Sequence, residues 1–291
     1  MKKFLSLISA AIIAAAIFSG GCALFNGDEE GHGVATCSVA ICEILDALDC
    51  EEVVGVPVTD DTLPERYQDI KTIGAPMGPD IEIVKLINPE ILLVPKTLQA
   101  SLNAQFAAAK INVKYIDLSD IEQMYEDILE IGQIIGKQTE AQSLYNNYTQ
   151  YIENYPRFET QTTVMTVMAF ANTFTIATEE SYVGNLVKIA GAKNVYGSGL
   201  VTDGTGVITN PSLEDVAQKD PDIILVFAHF NEENAFKYIQ DLTKSDAVWK
   251  NFRAVQSGEV YYLSTNNGFG VSANLEWTTA LETLRPIFFG E

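Results

Sequence analysis

Two stretches of this chain carry nearly the same message. Residues 79–94 read PDIEIVKLINPEILLV and residues 211–226 read PSLEDVAQKDPDIILV. Aligned without gaps they share Pro79/Pro211, Glu82/Glu214, Val84/Val216, Pro89/Pro221, Ile91/Ile223, Leu93/Leu225 and Val94/Val226. Each reads as a short helix opened by a proline in its first turn, a second proline at the exit, and an apolar run suited to burial in a parallel sheet. Any two βα units share part of that grammar, so chance explains some of the matches. The shared glutamates at the fourth position are not part of it. Two similar halves are the expectation.

The rest of the chain alternates in the same way. Val34–Thr36 is expected as a strand leading into a helix over Val39–Leu48, with Ile41, Ile44, Leu45 and Leu48 on one face. Further strands are expected at 53–56, 71–73, 91–94 and 113–118, with helices after Pro79 and around 98–108. The second half repeats the pattern with strands near 163–170, 223–227 and 260–263. Strands alternating with helical patterns predict an α/β fold with a largely parallel sheet. Between the halves, residues 120–136 and 139–155 carry Met124, Ile128, Ile131, Ile135, Leu144 and Tyr148 at helical spacing, and Pro156 ends the run. The expected architecture is α/β, with two similar Rossmann-like lobes joined by a single long helix that acts as a stiff hinge. The expected boundaries are 34–136 for the first lobe, 137–157 for the linker helix and 158–291 for the second lobe.

The amino-terminal end reads as an export signal, residues 1–21. Lys2 and Lys3 precede the uncharged run Phe4–Phe18, and Ser19, Gly20 and Gly21 precede Cys22. That run is about 15 residues, short of the ~20 that span a bilayer, and a small-residue exit suits signal processing. A cysteine directly after the exit suggests a bacterial lipoprotein acylated at Cys22, although Ser19 stands where leucine is commonest. Ordinary secretion is the alternative. Residues 22–33, rich in Gly, Asp and Glu from Asn26 onward, read as a flexible stalk.

Charge removes several classes of function. The chain holds 18 Lys and Arg against 39 Asp and Glu, a formal charge of −21. Loss of Lys2 and Lys3 with the signal takes it to −23, since that segment carries no acid. So acidic a surface argues against nucleic acid or an anionic membrane face as a partner. Cys37, Cys42 and Cys50 match no zinc spacing, and an odd count closes no disulfide framework. No Ser–His–acid set, P-loop or dinucleotide glycine fingerprint is present, so the chain is not expected to be an enzyme. Of the two histidines, His32 falls in the stalk, leaving only His229 for the lobes. Zinc and manganese sites normally gather several.

Candidate ligand contacts lie where strands end. His229 follows the strand at 223–227 by one residue, and Met77 follows the strand at 71–73 in the loop Gly74-Ala75-Pro76-Met77-Gly78-Pro79. Ligands of parallel α/β sheets sit outside the carboxyl ends of the strands, so both residues lie on a binding edge. Taken alone, they also fit a hydrogen-bonded wall histidine and a packing methionine.

Several longer stretches are similar to a known group of proteins. They include VATCSVAICEILDAL (34–48), VVGVPVTDDTLPERY (53–67), IGAPMGPDIEIVKLINPEILL (73–93), TEESYVGNLVKIAGAKNVY (178–196), NPSLEDVAQKDPDIILVFAHF (210–230) and GEVYYLSTNNGFGVSANLEWTTALETLRPIFFGE (258–291). With the export signal and the single connecting helix, they resemble the class III periplasmic binding proteins of ABC importers. Within that class they look most like the haem-binding lipoproteins of the iron-regulated surface determinant systems of Gram-positive bacteria. The resemblance implies haem b as a transported ligand, with Met77 and His229 at the two positions that ligate its iron; imidazole and thioether are a known axial pair. It implies a place for the two propionates. Thr36, Cys37 and Ser38 at the start of the first helix, and Ser181 and Tyr182 before the helix at 183–190, offer free backbone N–H groups. Plain N-capping uses the same residue types. It also implies that Glu82 and Glu214, one per lobe, meet arginines on an ABC permease dimer driven by a cytoplasmic ATPase, although a carboxylate in a first helical turn is stabilised by the dipole anyway. Surface haem-relay proteins as donors, a monomeric state and a place on the outer face of the cell membrane complete the implied picture. A ferric siderophore or a corrinoid such as cobalamin remains an alternative ligand on the same scaffold, and an adhesin or sensor is a more remote use of it.

Overall fold

The repeated βα segments occupy the same place in two different sheets. The computed structural model describes residues 31–157, 159–202, 205–228 and 231–290. The first half runs β1 (Val34–Thr36), α1 (Val39–Ala47), β2 (Val53–Gly55), a small hairpin β3–β4 (Gly74–Ala75 and Gly78–Pro79), α2 (Ile81–Ile87), β5 (Ile91–Pro95), α3 (Gln99–Ala109) and β6 (Val113–Ile116). Two helices follow, α4 (Ile121–Ile134) and α5 (Gln138–Asn154). The second half runs β7 (Thr163–Ala169), β8 (Phe174–Ala177), α6 (Tyr182–Ile189), β9 (Lys193–Asn194), β10 (Val207–Ile208), α7 (Leu213–Lys219), β11 (Ile223–Ala228), α8 (Glu232–Ser245), α9 (Arg253–Ser257), β12 (Val260–Leu263) and α10 (Trp277–Phe289).

The first sheet has the order β2-β1-β5-β6 and is parallel throughout. The second has the order β10-β8-β7-β11-β12, with β9 also paired to β7. Here β7, β11 and β12 are parallel, whereas β8 runs antiparallel to β7 and β10 antiparallel to β8. Thus β1-β5-β6 and β7-β11-β12 correspond, and the duplicated strands β5 and β11 are the central member of each trio. The antiparallel edge departs from the largely parallel expectation. The stretch at 71–73 is also not a strand; it contributes only a parallel bridge from Thr72 to Val56.

The repeat explains itself in the helices that precede those strands. Pro79 and Pro211 stand one residue before the N-caps rather than inside the first turn. Asp80 caps α2 by accepting from the Glu82 and Ile83 amides, and Ser212 caps α7 by accepting from Asp215. Both helices end on a left-handed residue, Asn88 or Asp220, directly before the second shared proline. Val84 and Val216 are the side chains each short helix buries completely. Along β5 and β11 successive side chains then point to opposite faces. Leu93 and Leu225 join one core layer, while Leu92 and Ile224 join the layers on the other side. Each fully buried side chain of this kind contributes roughly 1.5–3 kcal/mol of transfer free energy.

One apolar cluster runs through both halves. It gathers Ile41, Ile44 and Leu45 of α1, Leu93 of the first sheet, Met124, Ile128 and Ile131 of α4, Leu225 of the second sheet, Leu186 of α6 and Leu281 and Leu284 of α10. Every strand of the first sheet precedes every strand of the second in sequence, so the chain passes between them once, through α4 and α5. These are two helices, not one. Gly136 adopts a left-handed φ of 71°, and a Cβ on Gly132 would stand 2.4 Å from that of Ala141, so the glycines permit both the break and the close return. Trp277, 2% exposed at the start of α10, locks the pair in place. Its Nε1–H donates to the Tyr125 hydroxyl at 3.1 Å, Tyr148 stacks on Tyr125 at 4.4 Å, and Tyr151 meets the indole edge-on at 4.9 Å. The Ala273 amide adds a backbone bond to the Leu118 carbonyl at 2.8 Å.

The three described cysteines, Cys37, Cys42 and Cys50, are free and buried. Burial pushes the Cys37 and Cys42 thiols up to about 12, so both are un-ionised packing groups at neutral pH. Residues 31–33 do not hang free of the first lobe, because the His32 amide donates to the Asn88 carbonyl and the Glu90 amide to the Gly33 carbonyl. Among the described residues no helix is long and apolar enough to cross a membrane.

Candidate ligand-binding cleft

A cleft of about 830 Å³ opens at the carboxyl ends of the strands and takes its walls from both halves. From the first half come Val39, Ala40 and Glu43 of α1, the loop Val58–Thr62, and Pro76 at the tip of the β3–β4 hairpin. From the second come Ala228 at the end of β11, Asn231 and Glu232 at the start of α8, and the segment from Thr265 to Glu276. That volume lies within the usual range for small-molecule and cofactor sites.

Each wall is held by identifiable bonds. The hairpin is fixed at its base, where the Gly74 carbonyl accepts from the Val58 amide at 2.8 Å and the Ile73 carbonyl from the Asp80 amide at 2.7 Å. Gly74 has φ 104°, and a Cβ there would stand 2.7 Å from the Asp80 nitrogen, so only glycine fits. Met77, at the tip beside Pro76, is 61% exposed. An apolar thioether so poorly covered is not a packing plug. On the other wall the Glu232 carboxylate accepts from the Thr265 amide at 2.6 Å and from the Thr265 and Ser264 hydroxyls, tying α8 to the Thr265–Glu276 segment.

The structure sorts the remaining expected contacts. Ser38 is the N-cap of α1, accepting from the Ile41 amide, and its own amide donates to Thr36 Oγ1 at 3.2 Å. Thr36 and Cys37 are fully buried, and the α1 residues that reach the cleft are the next ones along, Val39 and Ala40. Ser181 caps α6 by accepting from the Gly184 amide at 3.1 Å while donating to the Thr178 carbonyl at 2.7 Å. Tyr182 is fully buried, and its hydroxyl donates to the Gly268 carbonyl at 2.8 Å. Neither Ser181 nor Tyr182 lines the cleft; Tyr182 steadies the loop that does. The helix start that does reach the cleft from the second half is that of α8. His229 and Cys22 lie outside the described residues. Glu82 and Glu214 are exposed at the second position of α2 and α7, and Glu82 has Lys85 Nζ 3.4 Å away. The carboxylates Glu43, Asp61 and Glu276 on the cleft wall escaped sequence reasoning, because they come from three segments with no local motif in common.

Two α/β lobes, a single covalent crossing between them and a ligand-sized cleft at the strand ends define a solute-binding protein. The sequence profile of the periplasmic binding proteins matches residues 34–266, and the chain belongs to that family. It is 32% identical over 256 residues to the high-affinity heme uptake system protein IsdE of Staphylococcus aureus, covering 87% of this chain and 85% of that one. An ABC transporter substrate-binding protein from Listeria monocytogenes has the same fold with a TM-score of 0.79 at 31% identity, over 90% of this chain and 100% of the other. The structure of S. aureus IsdE complexed with heme matches with a TM-score of 0.79 at 30% identity, over 89% and 99% of the two chains. The chain is therefore a substrate-binding protein of the ABC transporter class, which works with a permease and an ATPase, and it is not an enzyme.

Proposed function

We propose that this protein captures haem outside the cytoplasmic membrane and delivers it to an ABC permease, held at the membrane's outer face by a lipid on Cys22. The observation that carries the reading is the identity of the residues next in sequence to two that line the cleft. Pro76 and Ala228 line it, and their next neighbours in sequence are a thioether, Met77, and an imidazole, His229. One belongs to the first half of the chain and one to the second, which suits a flat iron porphyrin with an axial position on each face. The haem named for relatives at 30–32% identity supports the same ligand.

The rest of the site follows from haem's two propionates. The free N–H groups at the start of α1, beyond Thr36, Cys37 and Ser38, suit an anionic oxygen, whereas Ser181 and Tyr182 at the start of α6 support the cleft wall from behind and are not proposed as propionate contacts. Glu82 and Glu214 are the docking carboxylates for the permease dimer, and the protein acts as a monomer that surface haem-relay proteins can load. Optical titration of the purified apoprotein with haemin, cobalamin and a ferric hydroxamate siderophore tests the ligand. Haemin is expected to give a saturable six-coordinate spectrum. No spectral change with haemin beside tight binding of either competitor would sink the haem assignment and leave the importer role standing.

A further inference from the structure

The cleft wall carries the carboxylates of Glu43, Asp60, Asp61, Glu232 and Glu276, and no lysine or arginine lines it among the described residues. Glu232 is saturated by hydroxyl and amide donors from Ser264 and Thr265. Asp61 receives its own bond from Thr59. Glu43 differs. It sits half-buried one turn into α1 and accepts no hydrogen bond among the described residues. Glu276, from the turn before α10, lines the same cleft from the second half. An unpaired carboxylate taken partly out of water and set near others of its own sign favours its protonated form. The Glu43 carboxyl is accordingly raised above the ordinary range, first by burial and then by the charges of Glu276 and Asp61. Other titratable neighbours are the Cys42 thiol and the Tyr182 hydroxyl, both un-ionised at neutral pH, so among the described residues no cation offsets these acids.

We propose that Glu43, opposed by Glu276, makes ligand capture proton-coupled: an anionic ligand enters the cleft together with a proton that Glu43 takes up from solvent. The sign follows from linkage. A ligand anion raises the Glu43 pKa further in the complex than in the free protein. Affinity therefore increases as pH falls through the interval between the two values and is flat above and below it. Protonation of an iron-ligating imidazole acts in the opposite direction, weakening binding as pH falls, and Glu43→Gln, which keeps the imidazole, separates the two effects.

The test uses the haem reading for its probe and rests on that reading to this extent. Haemin and its dimethyl ester, which lacks the ionisable edge, are titrated into the full mature protein from above neutrality down into the ordinary carboxylate range, with calorimetry in two buffers of different ionisation enthalpy to count protons. Wild type is expected to bind haemin more tightly by up to about tenfold per pH unit within the linked interval, with uptake of a proton. The dimethyl ester should show neither effect. Glu43→Gln should bind haemin at the upper pH as tightly as wild type does at the lower, with no proton uptake. Glu276→Gln, at an exposed position that tolerates an amide, should shift the linked interval to lower pH. Haemin binding with the same pH dependence and the same proton count in wild type and Glu43→Gln overturns the proposal and leaves the haem reading intact. Haemin that binds neither wild type nor variant overturns both.

Discussion

A methionine that leaves most of its side chain in water contributes little to folding, so Met77 is best judged by what its sulfur can reach. If Met77 and His229 hold iron from opposite sides, the haem complex is expected to be six-coordinate and low-spin. His229→Ala should remove the stronger ligand and most of the affinity. Met77→Ala should shift the spectrum and lower the reduction potential, since a thioether favours ferrous iron. It should spare much of the binding, because burying a porphyrin at roughly 25 cal/mol per Å² of apolar surface is itself worth several kcal/mol. Optical titration with potentiometry checks both, and an unchanged spectrum in both variants would rule out the pair as ligands. Single residues were unevenly legible. The hairpin methionine stood out because its loop, bounded by glycine and proline, has no apolar periodicity to absorb it. Tyr182 did not: local sequence marks it as the start of a helix, while its partner is a carbonyl 86 residues away. Glu43, Asp61 and Glu276 form a wall only after three distant segments meet.

At the scale of elements, the duplicated α2 and α7 are the best-read part of the chain. Short helices with strong caps, bounded by proline and followed by an apolar run, declare themselves locally. Glu82 and Glu214 occupy equivalent exposed positions on these helices, away from the cleft. Reversing both charges is expected to abolish uptake in cells while leaving ligand affinity unchanged, and single reversals should do less. A double variant that binds ligand poorly would assign the glutamates to the fold or the pocket instead. The antiparallel strands β8 and β10 were not legible, since four residues and two residues are too few to display alternation. Their pairing is decided by the sheet they join. The break between α4 and α5 was not read, since the apolar spacing continues on both sides of Gly136, and neither was the part Trp277 plays in holding both helices, because it arrives from the far end of the chain. Trp277→Ala should cost about 3–5 kcal/mol in denaturant unfolding, the range for a large aromatic lost from a core. A loss below about 1 kcal/mol would mean the indole only fills space that its neighbours can close.

Over the whole molecule, the excess of acid disfavours contact with anionic surfaces, so under the proposed function a lipid on Cys22 would be the only membrane attachment. Cys22→Ser is expected to release folded, ligand-competent protein into the medium, read by fractionation; a variant that stays with the membrane would remove the lipid anchor from the account. The apolar cluster shared by both sheets has a different kind of consequence. Packing that encloses the crossing between the lobes resists being sheared, because side chains at crystal-like density lose contact with any displacement. Parting the lobes therefore stretches the same material that holds the fold, and the cleft behaves as a spring rather than a gate with two resting positions. Small-angle scattering curves of empty and loaded protein should nearly superimpose, and a large change in radius of gyration would contradict this. A transporter that takes the ligand must then strain the binding protein to do so, and the recoil, needing no further input, returns the emptied cleft to the shape in which it can load again.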